Sequence, residues 1–382
     1  MIPYGRQHID EHDIAAVVEV LRSDWLTQGP CIERFEAALT DVTGANHAVA
    51  VSNATAALHL ACMALDVGPG DLVWTSPNTF VASANCARYC GATVDFVDIE
   101  ADTGNMDAQL LAQKLADAAR HGRLPKVVIP VHFAGQSCDM AAIGELASVY
   151  GFKVIEDASH AVGGRYRQDA VGCGRFSDIT VFSFHPVKIV TTGEGGAALC
   201  KDPQLAARMR RLRSHGISRD PALMQGEYAG GWYYEQLELG FNYRMTDMQA
   251  ALGVSQLGRL GHFILRRREL AARYRVQLSG RGLSLPEERV DRQSAWHLYP
   301  VRLQEAARRR QVYDLLRTAN VGVNVHYIPV HLQPYYRQLG FRPGDFPVAE
   351  GYYQSAISLP LFPGLTDKDQ DWVIEALTSI LR

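Results

Sequence analysis

Hydrophobic and polar positions follow two alternating periods from about residue 46 onward. Short apolar runs, AVAVS, DLVWTS, TVDFVDI, KVVIPVHF and KVIEDAS, are separated by stretches whose apolar residues recur every three or four positions. The short runs predict buried strands, and the longer stretches predict amphipathic helices that cover them. This repetition predicts an α/β fold made of βαβ units on a mostly parallel sheet.

The two ends of the chain differ from this central pattern. Helical spacing over residues 10–22 and 32–39 predicts an N-terminal helical lead-in. Two further apolar runs, ITVFSF and GGAALC, follow the strand that ends near Ser159, and a long helical stretch then covers roughly Thr246–Leu278. The rest contains candidate strands HLYPVRL, GVNVHY and AISLPLF, with helices near 308–319 and 367–381. We therefore predict a large domain over residues 1–245, and a connecting helix with a smaller α+β domain over 246–382.

Composition places the chain among soluble globular proteins. Of its 382 residues, 47% are hydrophobic and 21% are charged, which excludes both a disordered chain and a membrane protein. The formal net charge of −3 predicts no general attraction to nucleic acid or to anionic lipid. The basic run Arg266, Arg267 and Arg268 is interpreted as a solvated helix face.

Cysteine usage and the first residues both indicate a cytoplasmic protein. The seven cysteines are odd in number and lack paired CxxC spacing, so we expect free thiols in a reducing compartment and no metal site. The N-terminus becomes charged before any apolar signal region forms, and no stretch approaches the length of a membrane span.

Common catalytic motifs are absent, and two residues at predicted strand ends remain. The sequence contains no P-loop, HExxH or GxSxG motif, and Gly172-Cys-Gly174 lacks the third glycine of a dinucleotide fingerprint. Asp157 closes the strand KVIED, and Lys188 follows the strand ITVFSF. Because ligands of open α/β sheets bind at strand ends, this carboxylate and amine are candidate catalytic groups. By its position alone, such a lysine is more often a surface side chain.

The neighbours of these two residues favour a phosphorylated, aromatic ligand. The glycine-rich segment after Lys188 allows close backbone approach, and Ser183 supplies a hydroxyl on the preceding strand. Ala54 and Thr55 begin a helix, where free N–H groups favour a phosphate. Phe80 could either fill the core or stack on a planar ring. Together these features describe a pyridoxal phosphate site.

The motifs behind this interpretation also carry a family resemblance across nearly the whole chain. They include LTQGP, SNATAALHLA, SPNTFVASAN, EDASHAVGG, SFHPVKIVTTGEGG, GFNYRMTDMQAALG, HLYP and SLPLFP. In order and spacing the chain resembles the DegT/DnrJ/EryC1/StrS family of pyridoxal-phosphate-dependent sugar aminotransferases. The resemblance implies the fold-type-I transferase architecture of aspartate aminotransferase. Within the family, SFHPVK, DASHA, RSHG and WHLYP most resemble the C4 aminotransferases of pseudaminic acid biosynthesis.

The resemblance assigns cofactor roles residue by residue. It implies that Lys188 bonds pyridoxal phosphate and later moves a proton, and that Asp157 keeps the pyridine nitrogen protonated. The other implied cofactor contacts are Phe80 on the ring face, Ala54, Thr55 and Ser183 on the phosphate, and His160 near the phenolic oxygen. His160 stands where many family members have Gln, and Ala54 where Gly is commoner.

Further contacts implied by the resemblance lie at a subunit interface and around the substrate. Asn242 matches a residue that reaches the phosphate of the second subunit, which implies a homodimer with shared sites. A turn or helix-start role is the alternative for Asn242. The candidate substrate contacts are Tyr4, Trp25, Thr27, Gln28, His215, His326, Tyr327 and His331, and for each histidine a structural role is the alternative.

The resemblance implies transfer of an amino group, with L-glutamate as donor, to C4 of a nucleotide-linked 4-keto-6-deoxy sugar. The expected acceptor is UDP-2-acetamido-2,6-dideoxy-β-L-arabino-hexos-4-ulose. C3 or C4 amination of another UDP- or dTDP-linked keto sugar is an alternative. A related sugar dehydratase is disfavoured because such enzymes replace the lysine that is present here as Lys188. An alternative of another class is a non-catalytic regulator or scaffold with the same fold.

Overall fold

The fold alternates helices and strands as the sequence predicts. The computed structural model describes residues 1–382. Its helices are α1 (Glu11–Leu21), α2 (Pro30–Thr43), α3 (Ala54–Ala64), α4 (Ala82–Tyr89), α5 (Ala108–Arg120), α6 (Met140–Tyr150), α7 (Pro203–Arg213), α8 (Asp247–Leu257), α9 (Leu260–Leu278), α10 (Arg309–Thr318), α11 (Pro334–Arg337), α12 (Pro347–Ser355) and α13 (Asp367–Leu381). No helix combines the length and the apolar character that crossing a bilayer requires.

The strands form one large sheet and three small ones. They are β1 (His47–Val51), β2 (Leu72–Thr75), β3 (Thr93–Phe96), β4 (Val127–Ile129), β5 (Lys153–Asp157), β6 (Arg165–Tyr166), β7 (Asp169–Ala170), β8 (Ile179–Ser183), β9 (Gly196–Cys200), β10 (Ile217–Ser218), β11 (Glu235–Gln236), β12 (Leu283–Ser284), β13 (Arg292–Gln293), β14 (Tyr299–Leu303) and β15 (Ala356–Leu359). The large sheet has the order β1-β9-β8-β5-β4-β2-β3. Only β9 runs antiparallel to its neighbours, which confirms the predicted mostly parallel sheet.

Both faces of the large sheet are buried under helices. Along β4, Val127 and Ile129 pack in the core that contains residues of α3 and α4, whereas Val128 packs in the core of α5 and α6. Successive strand residues point to opposite faces, so a strand covered on both sides must be apolar throughout. This explains why the central strands appear as continuous apolar runs.

The C-terminal part contains an antiparallel sheet of order β12-β14-β15. Its core includes residues of α10 and α13. The prediction of a strand at GVNVHY is wrong, because this segment forms only one isolated bridge, between Asn324 and Ser358. The chain's own start also joins this region through a parallel bridge between Ile2 and Val321. The domain boundary at 245/246 stays a prediction.

The long connecting helix that the sequence predicts over roughly residues 246–278 is divided into two helices in the structure. α8 ends at Leu257 and α9 begins at Leu260. The first packs on α2, where a Cβ on Gly253 would lie 2.5 Å from the ring of Phe35. The later part of α9 instead joins the C-terminal core through Leu270 and Tyr274. The two helices therefore belong mainly to different cores.

The basic run on α9 is not the solvated face that its charge predicts. Arg267 has no exposed surface, and its guanidinium donates to the carbonyl oxygens of Trp296, His297 and Leu361 at 2.9–3.3 Å. Burial lowers the pKa of Arg267 to about 9. Arg267 therefore ties the loop before β14 to the segment that follows β15.

A buried carboxylate joins the N-terminal helices to α8. Asp247 has no exposed surface and accepts hydrogen bonds from the backbone N–H groups of Gly29 (2.6 Å) and Cys31 (2.8 Å). Gly29 is the N-cap of α2 and has no side chain to satisfy that helix start. Asp247 performs this function from more than 200 residues away.

We expect Asp247→Ala to lower the free energy of unfolding by about 1–3 kcal/mol, because two buried N–H groups lose a charged acceptor. Chemical denaturation at fixed protein concentration measures the change. Glu375→Ala, at an exposed position of α13, is the control. A loss for Asp247→Ala no larger than that of the control would contradict this role.

Candidate active site

A cavity of about 850 Å³ lies at the carboxyl ends of the central strands. Asp157 ends β5 and Ser183 ends β8, and both strands are parallel neighbours that deliver these residues to the same edge. Ten of the site residues predicted from the sequence line this cavity: Tyr4, Ala54, Thr55, Phe80, Asp157, His160, Ser183, Lys188, His326 and Tyr327.

Lys188 places an amine in the cavity. It lies in the loop between β8 and β9 and is partly buried. Burial lowers the pKa of Lys188 to about 8, although the nearby Asp157 carboxylate opposes this shift. About a tenth of the amine is then neutral at pH 7, far more than for an ordinary lysine. A neutral amine can act as a nucleophile and as a base.

Asp157 is held rigidly at the strand end. It is 4% exposed, and its Oδ1 accepts hydrogen bonds from the backbone N–H (3.1 Å) and the hydroxyl (2.6 Å) of Ser159. Its Oδ2 accepts a hydrogen bond from the Ser83 hydroxyl at 2.6 Å. Neither serine was predicted from the sequence. Ser159 could have been found from its place two residues after Asp157, but Ser83 comes from α4 and carries no comparable signal.

The start of α3 lines the same cavity. The Asn53 side chain caps the helix by accepting from the N–H of Ala56 at 2.8 Å. The preceding N–H groups of Ala54 and Thr55 belong to the first turn and have no carbonyl partner within the helix. The Ser183 hydroxyl lines the same cavity. A Cβ on Gly196 would lie 2.5 Å from the Ala54 nitrogen, so only glycine lets β9 approach this helix start so closely.

Three imidazoles surround the amine. The ring of His160 lies 4.5 Å from that of His297, and its Nε2 forms a hydrogen bond of 3.0 Å with the Tyr327 hydroxyl. Burial lowers the pKa of His160 and of His297 well below the usual range and that of His326 to about 3, with a further contribution from the Lys188 charge. These rings are therefore neutral. His297 was missed although it belongs to the WHLYP motif.

These residues fit pyridoxal phosphate. The α3 start and Ser183 offer donors for a phosphate, Asp157 offers a carboxylate for the ring nitrogen, and Lys188 offers the amine. The Nδ1 atom of His160 is buried without a hydrogen-bond partner in the protein. Such an unsatisfied atom is expected beside a polar ligand group. Phe80 lines the cavity wall and is 60% exposed. An aromatic ring that stacks on a ligand must have such an exposed face when the ligand is not bound.

His331 does not line this cavity. It has no exposed surface, its Nε2 contacts Glu350 at 2.9 Å, and its ring packs 4.8 Å from that of Phe346. These contacts favour the structural role that the sequence left open for His331, and its role in substrate binding stays a prediction.

Five other predicted contacts lie outside the cavity of their own chain. All five are exposed: Trp25, Thr27, Gln28, His215 and Asn242. Thr27 forms a bridge with Thr246, and Asn242 forms one with Ser214, so both belong to the surface around α8. Their roles in binding stay predictions.

Comparison with protein families gives one match along almost the entire chain. The model of the DegT/DnrJ/EryC1/StrS aminotransferase family matches residues 7–378. The spore coat polysaccharide biosynthesis protein SpsC of Bacillus subtilis is 43% identical over 387 residues, with 100% of this chain and 97% of the relative covered. The UDP-4-amino-4-deoxy-L-arabinose–oxoglutarate aminotransferase of Shewanella sediminis is 36% identical over 392 residues, with 100% of this chain and 98% of the relative covered.

Solved structures agree with this match. The putative sugar aminotransferase Spr1654 of Streptococcus pneumoniae in its PMP form has a TM-score of 0.92 and 32% identity, over 100% of this chain and 99% of that one. Its PLP form has a TM-score of 0.90 and 31% identity, over 100% and 98%. Helicobacter pylori PseC, an aminotransferase of pseudaminic acid biosynthesis, has a TM-score of 0.91 and 29% identity, over 100% and 99%.

We expect borohydride reduction of the protein loaded with pyridoxal phosphate to label Lys188, because its amine has the lowered pKa and lies in the cavity. Peptide mapping by mass spectrometry locates the pyridoxyl group. Lys188→Ala should abolish labelling and turnover and stay folded, whereas Lys201→Ala, at an exposed lysine, should keep both. Labelling of a lysine other than Lys188 would contradict the assignment.

Proposed function

The chain belongs to the DegT/DnrJ/EryC1/StrS aminotransferase family and is a pyridoxal-phosphate-dependent sugar aminotransferase, and from that premise we propose that it aminates C4 of a UDP-linked 4-keto sugar. The observation that carries the reaction type is the shared cavity of the Lys188 amine and the buried Asp157 carboxylate. The name of the Shewanella sediminis relative, with its 4-amino sugar and oxoglutarate, supports C4 as the position. It also supports L-glutamate as the donor, since glutamate becomes oxoglutarate when it gives up its amino group.

The acceptor we propose is UDP-2-acetamido-2,6-dideoxy-β-L-arabino-hexos-4-ulose. Its product would be UDP-4-amino-4,6-dideoxy-N-acetyl-β-L-altrosamine, an intermediate of pseudaminic acid biosynthesis. The similarity to PseC over the whole chain supports this choice. A UDP-linked 4-keto pentose is the second candidate, because the relative named for 4-amino-4-deoxy-L-arabinose has the higher identity, 36% against 29%.

The residues of the cavity have different roles in the proposed reaction. Pyridoxal phosphate, when bound, supplies an electron sink for the carbon that loses its proton. Lys188 Nζ would remove that proton and return one at the neighbouring carbon, which its lowered pKa permits. Asp157 would accept a hydrogen bond from the ring nitrogen and stabilise its positive charge. The N–H groups of Ala54 and Thr55 and the Ser183 hydroxyl would hold the phosphate.

The neutral state of the three histidines leaves Lys188 as the group that transfers the proton. His160, His297 and His326 all have lowered pKa values because they are buried, and the Lys188 charge lowers them further. A protonated imidazole among them would repel a protonated Lys188 and lower its pKa still more. Because they stay neutral, Lys188 is the basic group near the reacting carbon whose charge changes around neutral pH.

Two features of the single chain support the proposed homodimer with shared sites. No arginine lines the cavity of one chain, although the donor has two carboxylates and the acceptor has a diphosphate. Asn242 is exposed on the surface around α8, and Trp25 on the same surface is 56% exposed. An apolar, exposed surface beside an incomplete site is what an isologous homodimer would cover.

The proposed compartment is the cytoplasm. All seven cysteines are unpaired in the structure, and five of them are buried. Buried free thiols are typical of proteins that work in a reducing compartment. A nucleotide sugar and an amino acid are the small-molecule partners that this function requires.

We expect a set of UDP-linked keto sugars, each offered with L-glutamate, to distinguish the two acceptors. Formation of the 4-amino sugar is followed by mass spectrometry and by NMR at C4, and oxoglutarate by a coupled assay. The N-acetylated 4-keto-6-deoxy hexose should give the highest kcat/KM. A higher value with the 4-keto pentose would favour the second candidate, and amination at C3 would contradict the proposal for C4.

We expect mixed dimers of Lys188→Ala and Asn242→Ala chains to recover activity if Asn242 serves the partner's site. One site then carries both changes and the other carries neither, so activity should rise to about half that of the wild type. Co-refolding differently tagged chains and isolating the mixed dimer provides the sample. Activity equal to the mean of the two parents would place Asn242 in its own chain's site or outside both sites.

A further inference from the structure

A chain of buried hydroxyl groups ends on Asp157. The Thr79 Oγ1 atom lies 2.7 Å from the Ser83 Oγ atom, which lies 2.6 Å from Asp157 Oδ2. Thr79 is 2% exposed, Ser83 has no exposed surface and Asp157 is 4% exposed. Of the three, Thr79 and Asp157 line the cavity and Ser83 lies behind them.

The direction of these hydrogen bonds follows from the chemistry of the groups. An ionised carboxylate has no proton to donate, so Ser83 must give its single hydroxyl proton to Asp157. The oxygen of Ser83 is then free to accept, and Thr79 must be the donor between the two hydroxyls. The shortness of the contact with Asp157 agrees with a bond to a charged acceptor. Both hydroxyls therefore polarise toward the carboxylate.

The two carboxylate oxygens are supported from different parts of the fold. Oδ1 takes both of its donors from Ser159, two residues along the chain, whereas Oδ2 depends on Ser83 of α4. The backbone N–H of Ser83 donates to the carbonyl oxygen of Phe80 at 3.3 Å, so one turn carries both residues. Phe80, which lines the cavity wall, and Ser83, which supports Asp157, therefore keep fixed positions relative to each other.

We propose that Ser83 is a positioning residue of the reaction, and that Thr79 assists it. The role of Ser83 rests on the one proposed for Asp157. Its hydrogen bond to Oδ2 fixes the orientation of the carboxylate and holds it as an acceptor in the cavity. A carboxylate held in this way would keep the cofactor's ring nitrogen protonated, as electron withdrawal requires.

The test uses the dimeric enzyme loaded with pyridoxal phosphate labelled with ¹⁵N in its ring. The ¹⁵N chemical shift of the ring nitrogen reports its protonation independently of turnover. Ser83→Ala should move the signal toward the neutral position and lower kcat about 10- to 100-fold, with little change in KM for the donor. Thr79→Val should cause a smaller shift in the same direction, because Ser83 keeps its proton. Ser83→Thr, which retains the hydroxyl, should restore much of the wild-type signal.

Two comparison variants separate the possible failures. Ser355→Ala removes a similarly buried hydroxyl of α12, which bonds only to backbone carbonyl oxygens, and should leave the signal and kcat unchanged. Asp157→Asn should move the signal to the neutral position. If Asp157→Asn does not move it, the role proposed for Asp157 is wrong. If Asp157→Asn moves it and neither Ser83→Ala nor Thr79→Val does, Asp157 keeps its role and the inference about Ser83 is overturned.

Discussion

The parallel pairing of β5 with β8 is the constraint on which the site depends. Its register places Asp157 opposite Val181, two residues before Ser183 at the same edge of the sheet. Neighbouring residues on a strand point to opposite faces, and Glu156 accordingly points away from the cavity toward His132, with 2.7 Å between Nε2 and Oε2. A slip of one residue would exchange the two carboxylates. The hydrogen-bond partners of Glu156, His132 and Thr180, and those of Asp157, Ser83 and Ser159, lie on opposite faces and disfavour that slip.

Burial has opposite consequences for the histidines on the two sides of this strand. His132 is fully buried, which by itself lowers its pKa, but hydrogen bonds with Cys138 and the Glu156 carboxylate prevail and raise the pKa to about 10. His160 is also buried but has no carboxylate partner, so its pKa falls well below the usual range. One face of the strand thus holds a charged pair, and the other surrounds the Lys188 amine with neutral rings. The difference comes from the partners rather than from the residue type.

The cavity is completed by segments that are far apart in the chain. Tyr4 reaches it because Ile2 pairs with Val321 and the Tyr4 carbonyl oxygen accepts from the N–H of Leu361. Tyr327 reaches it from the C-terminal part, where its N–H donates to the Asn78 side chain at 3.3 Å. The site therefore requires the large sheet, the C-terminal region and the first residues of the chain to be folded together.

The sequence by itself determined the strands of the large sheet, the strand-end position of Asp157, the position of Lys188 after the next strand, and, through family resemblance, the fold and the cofactor. These features depend on local periodicity and on short motifs, which a single sequence contains. The tertiary structure alone decided that GVNVHY lines a cavity instead of forming a strand, and that Arg267 and His331 are buried. It also decided that Ser83 supports Asp157. Each of these outcomes depends on a contact with a distant segment of the chain. The sequence around a serine, histidine or arginine is the same whether its side chain is exposed, bonded to a neighbour or part of the site, so the sequence alone could not distinguish these cases.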